Sequence, residues 1–316
     1  MREIRFPPLL WAALALPLFA CELDEVSITE PENALVAEAF LKVGDGSDEI
    51  SAFLHWTLGG SGASDLDDAT VRLERSDGLV VSLFQTEKAE CLASEVVGEV
   101  SGACFRAPPL TEGVLRPGDR VAVEITTSDG MLLQGGMVLP QDFALASPVV
   151  EGACALPPGV PLEFLWSKAE GAWVYTGEAV IWGLRDALAP EGIQLEEDSV
   201  TLQGISISET DTTMVFPQEF GVFDRFDLDR DLALALQEGL PLGAEADVVI
   251  SALERNYVNW VRGGSFNPSG LVRVPSLRGD GVGVLGGVVR RIVRVVGAGP
   301  EAGIPSCVPA VLEPVG

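Results

Sequence analysis

Residues 119–130 read Asp-Arg-Val-Ala-Val-Glu-Ile-Thr-Thr-Ser-Asp-Gly, and they give the clearest indication of the fold. Val121, Val123 and Ile125 alternate with small or polar residues, which is the period of a strand with one buried face. The Ser-Asp-Gly that follows is a turn signal, because glycine accepts the positive φ that tight hairpins need. These residues therefore predict a β-hairpin.

The same pattern occurs earlier in the chain, at residues 71–78. Val71 and Leu73 alternate with Arg72 and Glu74 before another Ser-Asp-Gly, which predicts a second hairpin. Further strands are predicted at 52–58, 162–166, 173–182, 199–207, 212–216, 246–253 and 288–296. Short strands separated by turn signals are typical of an all-β fold.

The second half of the chain carries a more specific core pattern. Leu162, Phe164 and Trp166 alternate, and Trp173 and Tyr175 alternate again after a turn. These residues resemble the second and third strands of fibronectin III-like sandwiches, which place a Trp and a Tyr between their sheets.

Helical signals interrupt the strands of this second half. One helix is predicted between a cap at Asp227 or Asp229 and a stop at Gly239. Tyr257 and Trp260 have helical spacing and predict one or two further turns packed onto the sandwich.

Between Pro140 and Pro158 the alternating strand pattern is replaced by Ser, Pro and Gly, which indicates a domain boundary. We therefore predict an all-β fold of two β-sandwich domains of the immunoglobulin or fibronectin III type. The first domain spans residues 34–147, and the second spans 148–316 with one or two short helices inserted.

The N-terminus carries a targeting signal. Leu18-Phe19-Ala20-Cys21 matches a bacterial lipobox, Arg2 and Arg5 form a basic start, and the apolar run 9–19 is too short to span a bilayer of about 30 Å. The pattern predicts a lipoprotein signal peptide and acylation of Cys21. The alternative is an ordinary secretory signal that contains a cysteine.

The predicted signal peptide is residues 1–20, and an acidic segment, 21–33, follows it with no sustained apolar pattern. This segment is expected to be a solvated tether. The signal peptide predicts that the protein is located in the bacterial cell envelope. We expect an outer-membrane lipoprotein that faces the periplasm or the cell surface and contacts the membrane through its lipid anchor.

Charge limits the choice of partner. The chain has 20 basic and 47 acidic residues, and removal of residues 1–20 leaves 18 and 46, a formal charge of −28. Nucleic acid is excluded as a partner, because binding it requires clustered Lys and Arg. A hydrophobic content of 47% is nevertheless sufficient for globular cores.

Arginines concentrate between residues 255 and 294, where seven of them accompany one acid, Asp280. We expect them to neutralise acidic strands elsewhere in the fold, and an anion-binding docking face is the alternative. The candidate interaction surface comprises Arg273, Arg278, Arg290, Arg291 and Arg294.

Five cysteines become four once Cys21 is assigned to lipid, and an even number in an oxidising compartment predicts two disulfides. Three connectivities are possible. Local geometry favours Cys91–Cys104 across a short loop, with Cys154–Cys307 joining the ends of the second half.

Two motifs resemble ligand sites without their structural context. Gly281, Gly283 and Gly286 spell G-x-G-x-x-G, but a β-branched run follows where a dinucleotide site needs a helix. We expect these glycines to permit close backbone packing instead. Asp227, Asp229, Asp231 and Glu238 match acidic positions of an EF-hand loop, but Leu232 replaces its glycine, so no metal or cofactor is predicted from either motif.

Calcium remains an open question at two acidic loops, although solvated turns are the preferred interpretation. These loops are Asp45/Asp48/Glu49 and Asp65/Asp67/Asp68.

Catalytic patterns are few. His55 is the only histidine, and it lies in a predicted strand without a nucleophile elbow, so no catalytic residue is assigned. A pair of carboxylates could still hydrolyse glycosides, and a carboxylate-dependent glycan hydrolase is the alternative function.

Several stretches carry a family resemblance: the lipobox, Ala34-Leu-Val-Ala-Glu-Ala-Phe, Pro117-Gly-Asp-Arg-Val-Ala-Val-Glu-Ile, Glu254-Arg-Asn-Tyr-Val-Asn-Trp, and Asn267-Pro to Gly279-Asp-Gly-Val-Gly-Val-Leu-Gly-Gly. Together they resemble the bacterial lipoproteins of the domain-of-unknown-function family 4249. The resemblance implies a partnership with TonB-dependent outer-membrane receptors and supplies no catalytic residues. We therefore expect a non-catalytic binding or accessory module of the envelope.

Overall fold

A computed structural model describes most of the chain from Asn33 onward. The described ranges are 33–46, 48–57, 66–92, 101–109, 114–150, 152–206, 208–221, 230–264, 274–299 and 303–308. Cys21 and the predicted tether up to residue 32 lie outside them, as do Asp65, Asp227, Asp229 and Arg273. Among the described residues, no helix is long and apolar enough to cross a membrane.

The first half of the chain is built from short strands. They are β1 (Leu35–Gly44), β2 (Glu49–Trp56), β3 (Thr70–Arg75), β4 (Val80–Thr86), β5 (Gly102–Arg106), β6 (Arg120–Thr126), β7 (Leu132–Val138) and β8 (Leu145–Ser147). Both predicted hairpins are confirmed, since β3 pairs with β4 and β6 pairs with β7, and each turn places its glycine at a φ of 89°.

In the described residues of the second half, strands alternate with three α-helices, α1 (Leu184–Leu188), α2 (Arg230–Glu238) and α3 (Arg255–Gly264). The strands are β9 (Ala153–Leu156), β10 (Leu162–Trp166), β11 (Val174–Trp182), β12 (Ser199–Ile205), β13 (Thr213–Phe216), β14 (Glu245–Leu253), β15 (Leu277–Gly279) and β16 (Val282–Gly297). The all-β class with short helices in the second half is confirmed. Helix α1 was not predicted.

Strand β16 is the longest, with 16 residues, and it joins the two halves. Its first part pairs in parallel with β1 and completes a closed ring of strands in the order β1-β2-β5-β4-β3-β6-β7-β15-β16. Its second part pairs with β14 and belongs to the sandwich of the second half.

Each half has its own buried cluster of apolar side chains. Inside the ring lie residues such as Leu41, Ile125 and Leu285. In the second half, Trp166 from the three-stranded sheet β13-β10-β8 packs against Tyr175 of the large sheet, with ring centroids 5.3 Å apart. The predicted Trp and Tyr between two sheets are therefore confirmed. The division into domains at residue 148 stays a prediction, because β16 contributes to both clusters.

Glycines make the parallel β1–β16 pairing possible. A Cβ atom at Gly281 would lie 2.4 Å from the carbonyl oxygen of Leu35, and one at Gly283 would lie 2.1 Å from that of Ala37. Both distances are well below 3.0 Å, the closest approach that Cβ atoms make to atoms they are not bonded to. The G-x-G-x-x-G sequence thus serves close backbone packing, as predicted.

Both disulfides are confirmed. Cys91 bonds Cys104, with Cα atoms 5.8 Å apart, and Cys154 bonds Cys307, with Cα atoms 4.9 Å apart. The second bond attaches the segment 303–308, whose Cys307 amide also donates to Ala155, to strand β9.

Candidate interaction surface

Three of the predicted surface arginines are held by carboxylates. Arg290 lies 3.0 Å from Glu49, and Arg294 donates to both oxygens of Asp247 at 2.9 and 3.0 Å. This pairing follows from the register, because Asp247 and Arg294 are direct cross-strand neighbours.

Arg291 points to the opposite side of β16. Its guanidinium binds Asp45 at 3.0 Å and also contacts Asp142, and it lies over the ring of Phe143. The carboxylate pairing that the preferred prediction expected is therefore present for Arg290, Arg291 and Arg294, and the choice between neutralisation and docking stays a prediction. Arg273 lies outside the described residues.

The carboxylates of the acidic loop considered for calcium also accept hydrogen bonds from other parts of the fold. Asp45 accepts from the Ile292 amide as well as from Arg291, while Asp48 is buried and accepts from the Leu115 amide at 3.0 Å. In the other loop, Asp67 accepts from Gln85. Among the described residues, no three acidic, His or Cys side chains are grouped to hold a metal ion.

Arg278 has a different environment from the three paired arginines. It is exposed, and its side chain contacts the carbonyl oxygen of Pro275 at 3.5 Å rather than a carboxylate. In the register it lies beside Gln134 of β7. It therefore stands at the edge of the outer face of the β4-β3-β6-β7 sheet.

This outer face consists of the exposed residues of the two hairpins, arranged in rows across the strands. The middle row is Val80, Glu74, Ala122 and Gly136. The row on one side is Ser82, Arg72, Glu124, Gln134 and Arg278, and the row on the other side is Arg120 and Val138. We call this surface the grooved face.

The groove exists because two neighbouring positions in the middle row carry almost no side chain. Ala122 and Gly136 are direct partners across β6 and β7, so together they form a low floor. Two adjoining hollows of about 500 and 340 Å³ lie over it. Longer side chains in the flanking rows, including Arg72, Glu124 and Arg120, form the walls.

The charges of the walls are available to a ligand. Arg72 and Arg120 are exposed, and the side chain of neither forms a hydrogen bond or an ion pair with any residue that the structure describes. Arg72 lies directly opposite Glu124 in the register, yet the two side chains do not form an ion pair. Exposed guanidinium groups retain all their donors for a carboxylate or another acceptor.

Large apolar side chains are also exposed on and beside this face. Val138 is 42% exposed, Val80 is 41% exposed and Phe84, at the outer edge, is 62% exposed. Arginine is one of the residue types that are enriched in protein interfaces.

The aromatic side chains of α3 are engaged within the fold. The indole nitrogen of Trp260 donates to Glu38 at 2.9 Å, and the rings of Tyr257 and Trp260 both meet Phe40 edge to face. Glu254, which precedes α3, accepts from the amides of Asn256 and Tyr257 at 2.7 Å. Burial raises the pKa of Glu254, although these amides oppose the rise.

A separate cleft of about 340 Å³ bears on the hydrolase alternative. It lies between α1 and α2, and Asp186, Glu191 and Glu238 line it together with proline, glycine, alanine and leucine residues. None of the described residues that line it is aromatic. His55, the other residue considered for catalysis, stacks on Phe53 at 5.5 Å.

Comparison with known proteins leaves the family open. No family model and no curated protein match the chain. Among solved structures it is similar to Dpr11 IG1 bound to DIP-gamma IG+IG2, with 10% identity, 85% of this chain and 100% of that chain covered, and a TM-score of 0.19. It is also similar to Clostridium thermocellum CbhA fibronectin(III)-like modules, with 8% identity, coverage of 83% and 90%, and a TM-score of 0.18.

These neighbours are modules of the class predicted from the sequence. TM-scores this low support no argument about a shared ligand or partner. The all-β architecture rests on the strand pairings described above.

Sequence reasoning identified Arg278 at the edge of the grooved face but missed its centre. Arg72, Ala122 and Glu124 were noted only as the outward residues of predicted hairpins. Their alternation with buried residues was the available signal, since it places them on one solvent-facing surface. The alignment of Ala122 with Gly136 depends on the register between strands, which no local pattern supplies.

Proposed function

We propose that this protein is a lipid-anchored protein of the bacterial cell envelope that acts as a non-catalytic binding or accessory module. The single observation that supports this function best is the grooved face, an exposed sheet surface with a low floor, arginines in its walls and exposed valines. Such a surface can hold a chain segment of a partner protein, and it lacks the enclosed geometry in which catalytic groups are usually desolvated.

The location follows from the lipobox at Cys21 and agrees with the cysteine chemistry. Paired cysteines are typical of proteins that fold in an oxidising compartment such as the periplasm. A lipid anchor would confine the module to a membrane surface, where a membrane-embedded partner is at high local concentration. The family resemblance suggests an outer-membrane receptor of the TonB-dependent type as that partner.

A crosslinked pull-down of the native lipoprotein tests this function. Val138→Glu places a charge in the groove wall, and Val180→Glu is its matched control, because both valines are on strands and are 42% and 37% exposed. We expect Val138→Glu to abolish capture of a partner that both wild type and Val180→Glu retain. Equal capture by all three proteins would contradict binding through the grooved face.

A further inference from the structure

We propose that the grooved face binds the grooved face of a second copy of this chain, about a two-fold axis that runs parallel to the strands between β3 and β6. This inference rests on the proposed function and names the partner of the same surface. The experiment below distinguishes a second copy from any other occupant of the groove.

The charges of the grooved face are balanced, although the chain as a whole is strongly acidic. The chain has 47 acidic and 20 basic residues, yet β3 and β6 present two arginines and two glutamates on this face, Arg72, Arg120, Glu74 and Glu124. All four are exposed, and their side chains form no ion pair with any residue that the structure describes. A surface with both charges in equal number matches neither an acidic nor a basic ligand, but it can match a second copy of itself.

The strand register shows how the two faces match in charge. Arg72 of β3 and Glu124 of β6 lie side by side in one row across the sheet. A two-fold axis between these strands, and parallel to them, places Arg72 of each copy over Glu124 of the other. The axis therefore creates two opposite-charge pairs, because every contact of a two-fold interface forms twice.

The same axis fills the groove. It places β4 over β7 and β3 over β6, so that Val80 lies over Gly136 and Glu74 lies over Ala122 of the other copy. These pairs set longer side chains against the low floor beneath the hollows of about 500 and 340 Å³. Glu74 of the second copy then lies beside Arg120, which is two residues from Ala122 on β6. All four charges thus obtain partners.

A two-fold axis perpendicular to the strands fits less well. Such an axis along the middle row would place Glu74 over Glu74 and Gly136 over Gly136 of the second copy, so that like charges and empty floors meet. Like charges that face each other oppose association.

The predicted lipid anchor favours the same axis. An axis parallel to the strands leaves the direction along them unchanged, so Asn33, where the described chain begins, lies at the same end of the ring in both copies. The two predicted anchors would therefore reach the same membrane.

The size of the face indicates that the anchor is needed. Strands β4, β3, β6 and β7 span about 14 Å, and the outward residues of β6 extend over about 20 Å, whereas a standard interface covers about 800 Å² on each partner. We therefore expect weak association in free solution and dimers in the membrane, where anchoring raises the local concentration. Repulsion between the acidic copies is largely screened beyond about 8 Å at physiological ionic strength.

Crosslinking between two cysteine variants that are co-expressed in the native envelope tests the inference. Ser82→Cys and Gln134→Cys change exposed positions that lie about 14 Å apart in one copy but directly opposite each other between copies. A bismaleimide that spans about 10 Å, the separation of packed sheets, should join the two variants into a dimeric adduct. Cells that express either variant alone are the controls and should not form it, because their thiols lie on opposite edges of the paired faces.

Charge reversal identifies the contact. We expect Arg72→Glu in both chains, or Glu124→Arg in both, to reduce the adduct by about tenfold or more, because like charges then face each other. Arg72→Glu in one chain with Glu124→Arg in the other should restore the adduct, since both opposite-charge pairs form again. Arg230→Glu with Glu197→Arg, at exposed positions of the second half, is the matched control and should leave the adduct unchanged.

Three results would overturn the inference: no adduct from the mixed variants, equal adducts from either cysteine variant alone, or no recovery when the two charge reversals are combined. Without the adduct, capture of a different protein that Val138→Glu abolishes would leave the proposed function intact. It would refute only the pairing of two copies.

Discussion

The guanidinium of Arg290 lies 3.0 Å from the carboxylate of Glu49, so that strand β16 of the second half is tied to strand β2 of the first. The side chain of Arg290 is only 12% exposed, whereas that of Arg294, paired with Asp247, is 51% exposed. Lys42 reaches the same Glu49 carboxylate at 3.3 Å. Loss of Arg290 would therefore leave a partly buried acid with a weaker partner.

Replacement of these two arginines should have unequal effects on stability. We expect Arg290→Gln to lower the free energy of unfolding by about 1–2 kcal/mol, because a partly buried charged hydrogen bond is lost. The exposed Arg294→Gln control should have a smaller effect, since water replaces its contact. Urea denaturation of both variants measures the difference, and a larger loss for Arg294→Gln would be inconsistent with the pairing described.

The two disulfides should also differ in their contributions. The bonds close loops of 13 and 153 residues, for which the chain-entropy model gives about 3 and about 5 kcal/mol. We therefore expect Cys154→Ala with Cys307→Ala to reduce thermal stability more than Cys91→Ala with Cys104→Ala. Calorimetry of the two double variants provides the comparison, and the reverse order would show that local packing outweighs loop length.

Glu254 should give α3 a measurable pH dependence. Burial raises its pKa in the folded protein above the ordinary value of 4.5. As pH rises above 4.5, unfolded chains release this proton before folded chains do, so the wild type loses stability relative to Glu254→Gln. The difference levels off once pH exceeds the folded pKa. Melting temperatures of both proteins from pH 4 to 8 measure it, and parallel profiles would argue against a raised pKa.

The lipid anchor is the prediction with the simplest chemical readout. If Cys21 is acylated, the mature protein partitions into detergent and carries the mass of its acyl chains. Cys21→Ser should release the protein from membranes or leave an uncleaved precursor. Phase partitioning and intact-mass measurement of both forms test this, and unchanged mass and partitioning in the variant would refute lipidation.

The sequence predicts what depends on local alternation and fails where distant strands must be aligned. Val121 to Ile125 reveal their buried face because side chains alternate along any strand. The closure of the ring by β1 and β16 depends on residues such as Val36 and Val282, which are far apart in sequence. No local pattern predicts that pairing, although the close approach of the two strands requires the glycines at positions 281 and 283.

The same reasoning explains the partial prediction of the surface. Arg290, Arg291 and Arg294 pair with acids as expected, whereas Arg278 contacts a carbonyl oxygen instead. Helix α1 was missed because its five residues are too few to show a helical period. The groove was not predicted, because only the register between β6 and β7 shows that Ala122 lies beside Gly136.

Position-specific photo-crosslinking in intact cells tests the central claim most directly. A photoreactive phenylalanine analogue at Gln134, an exposed position in the groove wall, leaves the floor open, and the same analogue at Thr201, an exposed position on β12, is the matched control. We predict one crosslinked partner from position 134, absent from position 201 and competed by wild-type protein. Identical adducts from both positions, or none from position 134 while the control position crosslinks, would contradict binding through the grooved face.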